Sequence, residues 1–464
     1  MTPADLHDKD VLIAVLVARI EVLAAANAAL TALVADLEAK LGLPPKTPDN
    51  SSVPPSKGQK PSDPGKARAK AKPHAGAHRP LHPNPTSTRN ITAFSCEGCG
   101  ADVSNVPQNP VESYDRIEIP EIKPDVTATK HLLCAGVTLH GGVCPCCTKR
   151  FRAAAPAGLE PGSPFGANLR AFVIYLRSVQ GIPLARLSHV LRDLFGLDIS
   201  EGALVNILRA SIKPFAAQTS AIKAQLLAGT VLASDETGLR VGKANWWLWV
   251  FHHGDSAVFV AAARRSKPVV AEFLGKWRPD FWISDRYGGQ TGWAKKQHQV
   301  CLAHLIRDVQ YAIDQGDRVF APGLKGLLKR ACAIGRRRSE LKDATLKAYE
   351  ADLNRRLDAM MGLSPPGLAG QKLQKAIKKA RHQLFVFVTN RDVSATNNGS
   401  ERALRPCAVY RKITNGFRSE WGAKLYADIR STVETARRRS ITAIQAIRLT
   451  LQGSLLPGKV MKLA

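Results

Sequence analysis

Between residues 10 and 41 apolar side chains recur on a seven-residue period. Leu16, Leu23, Leu30 and Leu37 hold one position of the repeat, and Ile13, Ile20, Asn27, Val34 and Leu41 hold another. Branched residues at a, Leu at d and a single Asn at a are the preferences of a parallel two-stranded coiled coil. A helix buried in its own chain is the alternative, and the e and g positions carry few charges to choose a partner. Gly42 and Pro44-Pro45 end this helix. From there to about residue 90 the pattern dissolves into Pro, Ser, Lys and Gly, which bury no core and predict a flexible basic linker.

Helical spacing returns over 167–213 in three pieces. The last two, 184–195 and 201–212, flank Gly196 to Ser200, with Ser200 placed as an N-cap, so a helix-turn-helix is expected. From Thr230 the period shortens to two. Strands are predicted at 230–241, 245–253 and 256–263, then a helix at 268–277, a strand ending at Asp285, and a strand at about 299–304. The aromatic run Trp246, Trp247, Trp249 reads as core. Residues 305 to about 385 read as basic helices. Three strands in meander, a helix and further strands follow the order of a ribonuclease-H-like mixed sheet.

Charge narrows the function. Lys and Arg number 66 against 38 Asp and Glu, a net +28, which favours nucleic acid as partner. The apolar run from Val11 to Ala18 stops at Arg19, so no membrane span is expected. Nine cysteines, odd in number and clustered, do not suit a secreted disulfide framework, and a cytoplasmic protein is expected. Cys96-Glu-Gly-Cys99 and Cys144-Pro-Cys146-Cys147 are two knuckles of a tetrahedral, structural Zn²⁺ site. Cys96, Cys99, Cys144 and Cys147 are the expected ligands; Cys146 is the alternative to Cys147, and Cys134 is spare.

The run Thr230-Val-Leu-Ala-Ser-Asp235-Glu236 ends an apolar strand in a carboxylate, and Phe281-Trp-Ile-Ser-Asp285 does so again. Side by side in one sheet, these strands would set two carboxylates at one edge, where hard divalent cations find oxygen ligands. Asn398 to Glu401 supplies a third acid, although the same spacing suits a capping box. Glu434 is the reserve third acid. His304 and Arg307 stand at a strand-to-helix passage as possible phosphate or outer contacts, a structural His being the plainer reading. Three carboxylates on a basic chain point to phosphoryl transfer on nucleic acid with Mg²⁺ or Mn²⁺.

These residues resemble the large, DDE-type transposase of the insertion sequence 66 family. The carriers are the N-terminal zipper, Asn50-Ser-Ser-Val-Pro-Pro-Ser56, the cysteine knuckles, Asp235-Glu-Thr, Cys301-Leu-Ala-His304, and Asn397-Asn398-x-x-Glu401-Arg402-Ala-Leu-Arg405-Pro406. The resemblance implies Asp235, Asp285 and Glu401 as the catalytic, metal-holding triad, with a helical insertion before the glutamate. It also implies small accessory proteins of the same mobile element. Two positions depart from the family pattern: Gly238 where Pro is usual, and Arg286 where Gly follows the second Asp.

The expected chain is multidomain α+β. It comprises a coiled coil over 1–43, a linker over 44–90, a zinc ribbon-like module over 91–152 and a helical DNA-binding domain over 163–225. A catalytic core over 228–440, with an insertion at about 305–390, and a C-terminal helix and tail over 441–464 complete it. The expected activity is cutting and joining of DNA element ends into a target by a homodimer or higher oligomer. A non-catalytic, zinc-containing DNA-binding regulator derived from a transposase is the alternative, and a structure-selective nuclease a weaker third.

Overall fold

A computed structural model describes residues 3–40, 141–143, 150–152, 165–195 and 197–458. The expected linker and the cysteines at 96, 99, 134, 144, 146 and 147 lie outside the described residues. Helix α1 (Pro3–Lys40) covers the heptads, and Leu16, Leu23, Leu30, Ile20 and Val34 are all at least half exposed. Its stretch Ala14–Val34 is also, by length and mean hydropathy of 1.6, apolar enough to cross a membrane. That corrects the expectation of no such segment. Arg19 and Glu21 interrupt the apolar run, but the alanines after Leu23 carry it on.

Strands β1 (Gly141–Val143) and β2 (Arg150–Arg152) pair antiparallel. Helices α2 (Ala167–Ile174), α3 (Leu184–Phe195), α4 (Glu201–Ala210) and α5 (Ile212–Leu227) follow, with a π-helical turn at Tyr175–Val179. The Ser200 side chain accepts from the Ala203 N–H at 3.2 Å, so α4 starts where a serine N-cap was expected.

The central sheet is built from β3 (Val231–Val241), β4 (Ala244–His253), β5 (Ser256–Ala262), β6 (Phe281–Ser284) and β7 (Gln297–Val300), in the order β5-β4-β3-β6-β7. The first three strands form an antiparallel meander through two-residue turns that open with Gly242 and Gly254, both at positive φ. Helix α6 (Lys267–Leu274) then crosses over, so that β6 lies parallel to β3 and β7 parallel to β6. This is the mixed order expected. The last strand is a correction: it ends at Val300, and residues 302–304 already belong to α7 (Leu302–Asp314). Cys301 is the N-cap, and its apolar flanks disguise the switch in period.

The expected insertion is α7 with α8 (Ala321–Arg337), α9 (Asp343–Met361), α10 (Leu368–Ala380) and α11 (Val386–Thr389). These helices share one apolar core with Val231, Ala233, Ile283 and Val300 of the sheet. Helices α12 (Asn398–Thr414) and α13 (Glu420–Arg438) cover Leu239, Val241, Leu248 and Val250. Both groups of sheet residues on β3 are odd-numbered, so they lie on one face. Asp235 therefore falls at the seam between two helical layers. The opposite face carries Leu232, Trp249, Phe251 and Trp282 against α5, α6 and α14 (Ala443–Leu451). Helices α2, α4 and α5 share a further core with α13 and α14. Trp246 and Trp249 are buried as expected, but Trp247 is only half-buried and carries the Arg265 guanidinium 5.0 Å above its ring.

Candidate active site

Parallel register brings the two aspartates together. Val231 pairs with Phe281 and Ala233 with Ile283, so two residues further on Asp235 comes level with Asp285. Asp235 Oδ1 accepts from the Glu236 N–H at 2.9 Å, and Asp285 Oδ1 accepts from the Tyr287 N–H at 2.9 Å. Each carboxylate is thus fixed by its own backbone turn. Glu401 lies in the first turn of α12, with Oε1 3.6 Å from His304 Nε2 on α7. The capping-box alternative places Asn398 at the cap; the cap residue is Asn397.

Electrostatics tie the acids into one group. Burial, reinforced by Glu236 and Asp285 and then Glu401, holds the Asp235 carboxyl well above the usual carboxylate range. Glu236 points to the other face of β3. Burial raises it too, while Arg265 pairs with it and Gln290 donates to it. Burial lowers the His304 imidazole below its usual range despite Glu401, so it is neutral near pH 7 and its approach to Glu401 is not an ion pair there. Arg307 sits three residues along α7 from His304, half-buried. Arg286, the departure beside Asp285, pairs with Asp308. The Gly238 carbonyl accepts from Arg411 of α12, and a Cβ at 238 would meet that guanidinium at 3.2 Å.

Among the described residues no three His, Cys, Asp or Glu side chains already close into a metal-holding set. The donor chemistry nevertheless fits a divalent cation. Carboxylates that raise one another's affinity for protons lack a compensating positive charge, and the nearby Arg265 and Arg286 are committed to Glu236 and Asp308. Glu434 offers no such opportunity. It is buried on α13, bonded by Arg437 at 2.7 Å and Arg438 at 3.0 Å; burial raises its carboxyl, and these arginines outweigh that and bring it below the usual range.

Sequence reasoning quoted Asn397 without seeing its role. Its Nδ2 donates to the Ser234 carbonyl at 2.8 Å, next to Asp235, and its N–H donates to Cys301 Sγ at 3.1 Å, at the head of the His304 helix. Its Oδ1 accepts from Ser400 Oγ at 2.7 Å, next to Glu401. Ser400 in turn is 2.9 Å from His252 Nε2 on β4. Because Ser400 gives its proton to Asn397, His252 Nε2 must donate, and burial keeps that imidazole well below its usual range and neutral. One buried residue, through its side-chain amide and its backbone N–H, thus joins the three segments that carry Asp235, His304 and Glu401. Asn397→Ala removes the donor to the Ser234 carbonyl and the acceptor of the Ser400 proton, at ~1–3 kcal/mol for each group left unsatisfied, while Ser400 keeps its bond from His252. We expect a lower melting temperature and a loss of about 10²-fold in single-turnover cleavage through misplacement alone, with Asn397→Ala still binding DNA. Unchanged cleavage would remove Asn397 from this role.

No curated protein matches the chain. The sequence model of the Transposase IS66 family, of DDE type, matches residues 162–425, more than half of the 464, and spans all three carboxylates. A transposase of this kind acts on DNA and uses a divalent metal ion, consistent with the basic chain and the acid cluster. The chain belongs to the IS66 transposase family.

Proposed function

We propose that the protein is an active transposase that binds the ends of its mobile element and cuts and joins DNA strands there, with Asp235, Asp285 and Glu401 holding Mg²⁺ or Mn²⁺. The observation that carries this reading is the placement of Asp235, on β3, beside Asp285, the residue that follows the parallel neighbour β6, with Asp235 electrostatically coupled to Asp285 and Glu401. When bound, divalent ions supply activation of the attacking oxygen and neutralisation of the leaving one. Asp235, buried and electrostatically coupled to both other acids, would hold the metal together with Asp285 and Glu401. His304, neutral, offers Nε2 as a hydrogen-bond partner beside Glu401, and Arg307 is placed to meet a phosphate. A Mg²⁺-dependent nicking assay on element-end DNA tests the reading. DNA binding without nicking at any divalent ion concentration would favour the non-catalytic regulator.

Around this centre, Cys96, Cys99, Cys144 and Cys147 hold a structural Zn²⁺, and helices α3 and α4 read DNA. The protein works in the cytoplasm, with accessory proteins of the same element as further partners. Helix α1 pairs in parallel with a second copy, which would cover its exposed leucines. Asn27 faces Asn27 across that seam, costing stability but fixing register. Asn27→Leu should tighten self-association and admit higher oligomers, measured by analytical ultracentrifugation of the full chain. A monomer at high concentration would exclude the zipper, and partition into vesicles would favour the membrane alternative.

A further inference from the structure

Arg402, Arg405 and Pro406 belong to the motif around Glu401, yet the acid cluster makes no use of them. They line a groove of about 350 Å³ between α12, from Arg402 to Ile413, and the end of the π-helical turn with the two residues after it. Its floor is apolar: Val409 and Ile413 are 50% and 49% exposed, beside Pro406 and Tyr410. Gly181, at φ +73°, lets the backbone close on Tyr410 and Ile413, where a Cβ would stand 3.7 and 3.6 Å from them. Pro406, inside α12, has no N–H for the Arg402 carbonyl four residues earlier, so an acceptor also faces this region. No acidic residue lines the groove.

We infer that this groove takes an unpaired nucleotide of the DNA strand whose phosphodiester meets Glu401. This rests on the proposed function and adds to it a site for single-stranded substrate. The charge is complementary: Arg402 and Arg405 are exposed and available to phosphates. The position is continuous with the acid cluster. Arg405 lies one helical turn beyond Glu401 on the same face, and Val409 and Ile413 follow ~12 and ~18 Å along the axis at ~1.5 Å per residue. The size suits a base, since ~300–1,000 Å³ is the range of small-ligand pockets. A base lies on the apolar floor, and its exocyclic amino group can donate to the Arg402 carbonyl.

The test is binding of the full chain, in EDTA and at fixed salt, to a blunt fluorescent duplex and to the same duplex with a four-nucleotide single-stranded overhang. Wild type should prefer the overhang about tenfold, the scale of stacking one base on a protein surface. Val409→Asp and Ile413→Asp put a negative charge on the floor at half-exposed positions. Each should abolish the preference while weakening the blunt duplex far less than the overhang and leaving the melting temperature unchanged. Arg402→Ala with Arg405→Ala should weaken both DNAs and reduce the salt slope by about two phosphates. Should either Asp variant melt lower, Val409→Gln and quenching of 2-aminopurine in the overhang by wild type replace it. No preference in wild type, or the same preference in the variants, overturns the groove while leaving metal-dependent nicking intact. Loss of nicking in wild type with the preference retained overturns the proposed catalysis instead.

Discussion

Asp235→Asn is expected to reduce metal-dependent nicking by at least about 10³-fold, the scale of removing one preorganised electrostatic group. The same substitution should raise the melting temperature of the metal-free protein, against the loss of about 1 kcal/mol that an average substitution causes. Burial and the neighbouring acids hold the Asp235 carboxyl above its ordinary range, so the folded protein binds this proton more tightly than the unfolded chain. Stability from this group is therefore present at low pH and is lost as pH rises through the raised value; a neutral amide escapes that loss. Mn²⁺ should reverse the order, stabilising wild type and not Asp235→Asn in a thermal melt.

Asp285→Asn and Glu401→Gln should also be severely impaired. DNA affinity should survive in all three, because it comes from Lys and Arg contacts to phosphate. Glu434→Gln is the contrasting control. It removes the buried charge that pairs Arg437 and Arg438 and costs stability, but nicking per folded molecule should persist. An active Glu401→Gln, or one that loses fold and DNA together, would return Glu401 to a structural role.

The sheet was legible because its strands are short, largely apolar runs and two of them run straight into an aspartate. The parallel neighbour relation of β3 and β6 followed from the order of elements, and that relation levels the two acids. Boundaries failed where chemistry gave no mark. Val300-Cys-Leu-Ala is apolar on both sides of the switch from strand to helix, so the strand was drawn too long. Trp247 is less buried than an aromatic in an apolar run suggests: it packs at the edge of the core and also carries an arginine from the loop after β5. The Asn397 hub was illegible in principle. Its bonds reach 163 residues back to Ser234 and 96 back to Cys301, and no local pattern encodes them. His252 gave only the faint sign of a polar residue within an apolar strand.

Replacing Cys96 and Cys144 together by Ser should strip zinc from the purified protein and unfold the region from about 91 to 152, leaving the α/β core folded. Zinc binding contributes on the order of 10 kcal/mol to folding modules of this size, more than a short hairpin can supply itself. The pairing of β1 with β2 gives the proposal a framework. Val143 pairs with Arg150, so one six-residue connection carries Cys144, Cys146 and Cys147, with Cys144 directly after one strand and Cys147 three residues before the other. A Cys-x-x-Cys pair on one connection is half of a tetrahedral thiolate site, and Cys96-Glu-Gly-Cys99 would provide the other half. Wild type should carry about one Zn²⁺ per chain by metal analysis, and Cys146→Ser should keep it where Cys147→Ser loses it. Four thiolates leave no open position, so zinc removal should not touch nicking by the core directly. Its effect should fall on DNA affinity and on protease resistance of the 91–152 region. Stoichiometric zinc in the Cys96→Ser, Cys144→Ser double variant would mean that these knuckles do not bind the metal.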